Sequence, residues 1–184
     1  MRKVLIVLLL GMAFSMNIFC SSTATTATNT SGQELKIGDE HMGGIVFYLY
    51  KGDDGKQHGL VMATKEANIA WQEPVSLVNA SSTIDGPDNY KLMSNSPAKD
   101  WIIKNFGPEW YLPTLNELGQ IWVARFTLNE ALEKGNHTPL SLEGYYWSSR
   151  ERGERFAYFF NFGDGDPYTY SKTFKYTVRP IRAF

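Results

Sequence analysis

The chain is poor in the residues that carry most enzyme chemistry. It has one cysteine, Cys20, and three histidines among 184 residues. A single cysteine excludes an intrachain disulfide, so a folded domain here must stand on its core. With Cys20 set aside, no thiol is left for catalysis. His41, His58 and His137 show no metal-ligand spacing such as H-x-x-x-H and read as surface or loop residues. No Gly-x-Ser-x-Gly elbow marks a nucleophilic serine. The formal net charge is −1, from 18 Lys and Arg against 19 Asp and Glu, so no charge surplus favours nucleic acid. No apolar run reaches the roughly 20 residues of a membrane-spanning helix. What is plentiful is aromatic: Phe, Trp and Tyr make up 14% of the chain and gather in its second half.

The N-terminus reads as an export signal over residues 1–20. Arg2 and Lys3 precede the aliphatic run Val4 to Leu10, the order of the n-region and h-region of a signal peptide. Cys20 stands where a lipoprotein signal places its lipidated cysteine. Asn17-Ile18-Phe19 departs from the small-residue pattern of a lipobox, so cleavage among the small residues just downstream is the alternative. Residues 21–34 are mostly Ser, Thr, Ala and Asn, too polar to offset ordering entropy, and read as a flexible tether. The folded domain is expected over 35–184.

Within it, Gly44 to Tyr50 is a β-branched and aromatic run, Lys51 to Lys56 a turn and Gly59 to Ala63 a returning strand. Residues 64–95 hold loop signals, Asp85-Gly86-Pro87-Asp88 and Ser94-Asn95, and no sustained period; this predicts a long loop region. Ser96-Pro97 is an N-cap followed by proline, opening a helix that Gly107-Pro108 closes. Thr114-x-x-Glu117 and Thr127-x-x-Glu130 are two capping boxes, the second with Gly135 as its C-terminal stop. From Tyr145 the period becomes two. Phe156, Tyr158, Phe160 and Phe162 alternate with Ala157, Phe159 and Asn161, which leaves an outer face that is not very polar. Trp147, Phe156, Phe160 and Phe162 read as core. Gly163 to Pro167 is a turn, and the phase slips at Pro180, marking a bulge or edge. The class is α+β, with two or three helices.

Three groups of residues are candidates for chemistry. Trp147 and the tyrosines Tyr145, Tyr146, Tyr158, Tyr168 and Tyr170 lie near Arg150, Arg152 and Arg155, and aromatic and Arg side chains dominate recognition hot spots. The acidic turns offer Asp85, Asp88, Asp164 and Asp166 as weak oxygen ligands for calcium, although Asp and Gly are also ordinary turn residues. A polar site in loop 64–95 would be lined by Trp71, Gln72, Glu73, Asp85 and Asp88. No other cofactor is indicated.

Three phrases carry a resemblance: Tyr111-Leu112-Pro113-Thr114-Leu115-Asn116-Glu117-Leu118, Tyr145-Tyr146-Trp147-Ser148-Ser149 and Val178-Arg179-Pro180-Ile181-Arg182-Ala183-Phe184. With the helix Asn129 to Lys134 and with Thr138-Pro139-Leu140, they resemble the C-terminal domain of the Legionella collagen-like adhesin, over about residues 36–184. The resemblance implies a C-type-lectin-like fold in which the N- and C-terminal strands pair. The catalytic relatives of that fold use a cysteine pair that is absent here. The Glu-Pro-Asn or Gln-Pro-Asp motif of calcium-dependent sugar lectins is also missing, and Glu73-Pro74-Val75 is not its equivalent. The resemblance to variable receptors implies a ligand face built from residues after Trp147, here Arg150, Arg152, Arg155, Tyr158, Tyr168, Tyr170 and Lys172.

The expectation is therefore an exported, non-catalytic adhesion module at the cell surface or outer membrane. Its partner would be a host or neighbouring-cell protein or glycan, with a membrane touched only through a lipid anchor and no nucleic acid bound. The alternatives are an enzyme using the 64–95 site and a structural subunit of a surface fibre.

Overall fold

The computed structural model describes residues 34–184; the expected signal, Cys20 and the tether to residue 33 lie outside the described residues. The first described residues are already tied down. Gln57 receives a hydrogen bond from the Leu35 amide at 2.7 Å and returns one to the Leu35 carbonyl at 2.9 Å.

Two sheets and three helices make the domain. The first sheet has the order β1-β2-β3-β9, with β1 at Glu40–His41, β2 at Gly44–Lys51, β3 at Gln57–Ala63 and β9 at Ile181–Ala183. The β2–β3 hairpin is the one the sequence predicts. The C-terminal strand joins this N-terminal sheet, but it pairs antiparallel with β3 and not with the first strand. The expected pairing of the terminal strands is corrected accordingly: β1 pairs only with β2, and β9 takes the far edge of β3.

The second sheet has the order β4-β8-β5-β6-β7. Here β4 is Ala67–Ala70, β5 Tyr145–Arg152, β6 Phe156–Asn161, β7 Asp166–Ser171 and β8 Lys175–Val178. Its neighbours are antiparallel except β5 and β8, which run parallel at Tyr146 and Thr177. The slip at Pro180 is the crossing point between the sheets. Arg179-Pro180 separates β8 in one sheet from β9 in the other. A proline lacks the amide that a continuous ladder would need. The chain is held on both sides of it: the Ala63 amide bonds Pro180 O at 2.9 Å, and Tyr111 and Ile181 exchange amide bonds at 2.9 and 3.0 Å.

The helices are α1 at Gly86–Leu92, α2 at Pro97–Phe106 and α3 at Leu115–Lys134. Ser96 caps α2 and Thr114 caps α3 with both arms of a capping box, as the sequence predicts. Two expectations fail. Residues 64–95 contain β4 and α1, because Asp85-Gly86-Pro87 is an N-cap with proline in the first turn, not a loop. The second capping box does not open a new helix: α3 runs through Thr127 to Gly135. Nothing in Trp122 to Phe126 stops a helix, and a Thr-x-x-Glu pair without a preceding breaker is only two helix-surface residues.

The three phrases that carry the resemblance all pack into the scaffold. Tyr111 bridges to Ile181, and its hydroxyl reaches Glu117 at 2.8 Å. A bulge in β5 between Trp147 and Glu151 releases Ser148 and Ser149 from β6. They bond elsewhere: Ser148 O accepts the Trp71 indole at 2.8 Å, and the Ser149 amide reaches Pro113 O at 2.7 Å. Arg179 is buried, spanning the Ala63 and Thr138 carbonyls and the Glu66 carboxylate at 2.7–2.9 Å. Burial of Trp71, Trp147 and the other core aromatics supplies about 1.5–3 kcal/mol for each large side chain. Phe156, expected in the core, is instead 48% exposed, because it lies at the β5–β6 turn beyond the cover of α3.

Candidate functional site

Strand register sorts the candidate ligand residues onto different surfaces. Trp147, Phe159 and Tyr168 stand side by side across β5, β6 and β7, and Ala157 stands beside Tyr170. Residues paired across strands share a face, and successive residues alternate. Tyr168 and Tyr170 therefore share one face with Trp147 and Phe159. Tyr158, paired with Thr169, points to the other. There the Arg150 guanidinium lies 4.7 Å over the Tyr158 ring. Arg152 and Arg155 are exposed at the β5–β6 turn.

Lys172 is a correction. It is fully buried, and its ammonium donates to Gln72 Oε1 at 3.0 Å, Ser76 O at 2.7 Å and Glu151 Oε2 at 2.6 Å. Three donors meet three acceptors, so no capacity is left for a ligand. The ammonium also sits 4.8 Å from the Trp71 ring centre. Glu151 in turn accepts the Val78 and Asn79 amides. Gln72 is equally committed, donating to Ser76 Oγ and Ser94 O at 2.9 Å each. This network fastens residues 71–80 onto the sheet. The proposed polar site in loop 64–95 dissolves into it: Trp71 and Gln72 are buried structural members, while Glu73, Asp85 and Asp88 are exposed.

The acidic turns are likewise occupied by their own backbone. Asp85 accepts the Asp88 amide at 3.0 Å as the cap of α1, and Asp88 pairs with Lys91 at 2.7 Å. Asp164 accepts from Asn161 Nδ2, the Tyr168 hydroxyl and the Asp166 amide at 2.8–3.1 Å. Among the described residues no group of three or more His, Cys, Asp or Glu is placed to hold a metal ion.

What the fold does assemble is an aromatic face. Tyr176 on β8 contacts Tyr145, Tyr170, Phe174 and Phe159, with ring centres 4.7–5.6 Å apart. Tyr168 stacks on Phe159 at 5.8 Å with 28° between planes, and its hydroxyl is held by Asp164. That hydrogen bond and the Asp164 charge raise the Tyr168 pKa. Trp147 lies beneath, its indole donating to Ile69 O at 3.0 Å. Tyr145, Tyr168, Tyr170 and Phe174 remain 44–48% exposed. Such a row of half-exposed rings is a cost in water unless something covers it. The sequence pointed to Tyr145, Tyr168 and Tyr170 as candidate contact residues but not to Phe174 or Tyr176. The signal was present in Phe159 on the outer phase of β6; what it lacked was the β5–β8 pairing that brings Tyr145 and Tyr176 together.

On the helix side of the molecule an open groove of about 870 Å3 runs along α3, bordered by Leu115, Gly119, Trp122, Val123, Phe160 and Pro167. Gly165 closes one end with positive φ, and a Cβ there would meet the Trp122 ring at 2.7 Å. No acid, histidine, lysine or arginine lines this groove. Among the described residues no helix is long and apolar enough to cross a membrane.

No protein-family model matches the chain, and no curated protein matches it. Among solved structures, a fimbrial protein from Bacteroides ovatus ATCC 8483 is similar in fold, with a TM-score of 0.61 at 16% sequence identity. The alignment covers 77% of this chain and 44% of that one, so this chain matches less than half of its neighbour. The shared feature is the arrangement of the backbone.

Proposed function

We propose that residues 35–184 form a non-catalytic binding module of an exported, surface-attached protein, with the C-type-lectin-like architecture that the adhesin resemblance implies. Its contact surface is the aromatic face, and the observation that carries this reading is the row Tyr145, Tyr168, Tyr170 and Phe174, left half exposed on the second sheet. Aromatic side chains with a polar tip give large contact area at low entropic cost. Arg152 and Arg155 stand at the β5–β6 turn, near Tyr170 and at the opposite end of β5 from Tyr145, and contribute rim contacts there. A protein or a glycan of a host or neighbouring cell is the partner class. The structural likeness to a fimbrial protein supports a place at the cell surface.

The test is attachment of the labelled full chain to a panel of host and bacterial cells. Tyr168→Ala with Tyr170→Ala should abolish attachment while the melting midpoint stays put. Undiminished attachment would remove the aromatic face from the account.

The likeness to a fimbrial protein favours a second reading, a structural subunit of a surface fibre. Light scattering of the purified full chain separates the two: regular high-mass polymers support the fibre, and a monodisperse monomer supports the binding module.

A further inference from the structure

With a single cysteine, the chain can form no intrachain disulfide. The buried cluster of Lys172, Glu151 and Gln72 holds the parts of a different cross-link. Lys172 and Gln72 are fully buried and Glu151 is nearly so. An amine, a carboxylate and a primary carboxamide thus meet where bulk water does not reach. The lysine and the glutamine lie 100 residues apart in the chain.

The carboxamide is held in one orientation. Its Oε1 accepts the Ser76 amide and the Lys172 ammonium, each at 3.0 Å. Its Nε2 donates to Ser76 Oγ and Ser94 O at 2.9 Å each. All four hydrogen-bonding positions of the group are used, and an ammonium, which only donates, fixes the oxygen on the lysine side. Each contact has a counterpart in acyl transfer. The Ser76 N–H stabilises negative charge that develops on Oε1. Ser76 Oγ and Ser94 O hold Nε2 as the leaving group. Glu151 Oε2, 2.6 Å from Nζ, is placed as the base. The buried Trp71 ring covers Nζ at 4.8 Å.

We propose that Lys172 and Gln72 join in an isopeptide bond that the folded domain forms on itself. The Lys172 ammonium gives one proton to Glu151, and the freed lone pair on Nζ attacks Gln72 Cδ. A short swing of Nζ from Oε1 to the adjacent carbon brings the reacting atoms together. The tetrahedral centre collapses with cleavage of the Cδ–Nε2 bond. Nε2 takes a second proton from Nζ and leaves as ammonia. Nζ keeps its third hydrogen as the new amide N–H. Glu151 ends as the neutral acid, so the loss of the lysine charge leaves no unpaired carboxylate. No oxidant, metal or second substrate enters the balance. The bond fastens residues 71–80 to the segment that follows β7, and it stands independently of what the aromatic face binds.

Peptide mass spectrometry of the purified full chain, denatured and digested with trypsin, tests the proposal. Peptides 66–91 and 156–175 should appear joined, lighter than their sum by one ammonia and uncut after Lys172. Gln72→Ala removes the electrophile and spares the Lys172–Glu151 pair; its digest should show the two regions apart, with cleavage after Lys172. Glu151→Gln should slow joining at least about a hundredfold, the scale of a lost general base. Melting midpoints verify that both variants fold, and if Glu151→Gln does not, the wild type and Gln72→Ala decide without it. Separate peptides from the wild type, with Lys172 cleaved, overturn the bond. So does a join between Lys172 and Glu151 with loss of one water, or a join that persists in Gln72→Ala. Joining at the wild-type rate in Glu151→Gln overturns the proton path.

Discussion

The two ends of the β5-β6-β7 array handle polar groups in opposite ways. At one end, Glu151 stands opposite Ala157, and Lys172, Gln72 and residues 76–79 close over them; every donor and acceptor of that network is paired. At the other end, Tyr145, Phe159, Tyr168 and Tyr176 pack ring to ring, and Tyr145 and Tyr168 stay half exposed. Residues rich in cations and residues rich in rings look alike as recognition elements in sequence. In the fold, the lysine is a rivet and the rings are a surface. A charge placed under a covering loop is held by the cost of leaving it unpaired, whereas a half-exposed ring costs little to remove from the folded state.

The comparison can be broken first at its buried end. Lys172→Ala should destabilise the domain by about 3–5 kcal/mol in denaturant titration, because Glu151 would keep a buried charge without a counter-ion. Lys172→Met combined with Glu151→Gln should recover part of that loss, since a neutral amide is cheaper to bury. If Lys172→Ala melted like the wild type, the rivet would be misassigned. Next in size is Thr114→Ala, which removes one arm of the α3 capping box and should cost about 1 kcal/mol.

A smaller effect concerns Glu117, the other arm of that box. Burial raises its carboxyl above the ordinary range, against the hydrogen bonds from Thr114 and Tyr111. A folded pKa above the unfolded one means that its contribution is fully present below the unfolded pKa and is lost as pH rises through the folded value. Glu117→Gln removes this titration. The change in melting midpoint between about pH 7 and about pH 5 should therefore be less favourable to the acid side in the variant than in the wild type. On the aromatic face, Tyr170→Ala or Phe174→Ala should move stability far less than Lys172→Ala, which equilibrium unfolding can check.

Much of the scaffold was legible because its signals are local. The β2–β3 hairpin, the Ser96 and Thr114 caps and the Gly135 stop depend on residues within a few positions of each other. The α1 helix was hidden because an Asp-Gly-Pro cap and an Asp-Gly-Pro turn read the same until the following residues find a core; Tyr90 and Asn89 do so by packing beneath the β5 bulge, where Asn89 bonds Ser149. The two sheets were hidden because Pro180 reports a break without saying where the chain goes next. For the site, Tyr168 and Tyr170 were visible as alternating residues on one strand. Lys172 follows the same phase two positions on, and only the long-range closure of residues 71–80 distinguishes it from them.

Hydroxyl-radical footprinting of the full chain, free and attached to a cell surface, tests the central claim most directly. Partner-covered rings should lose reactivity at Tyr145, Tyr170 and Phe174, while Tyr50 on β2 and Phe156 on the opposite face of β6, both exposed, stay unchanged. Protection at Tyr50 or Phe156 with Tyr170 and Phe174 still reactive would contradict the account.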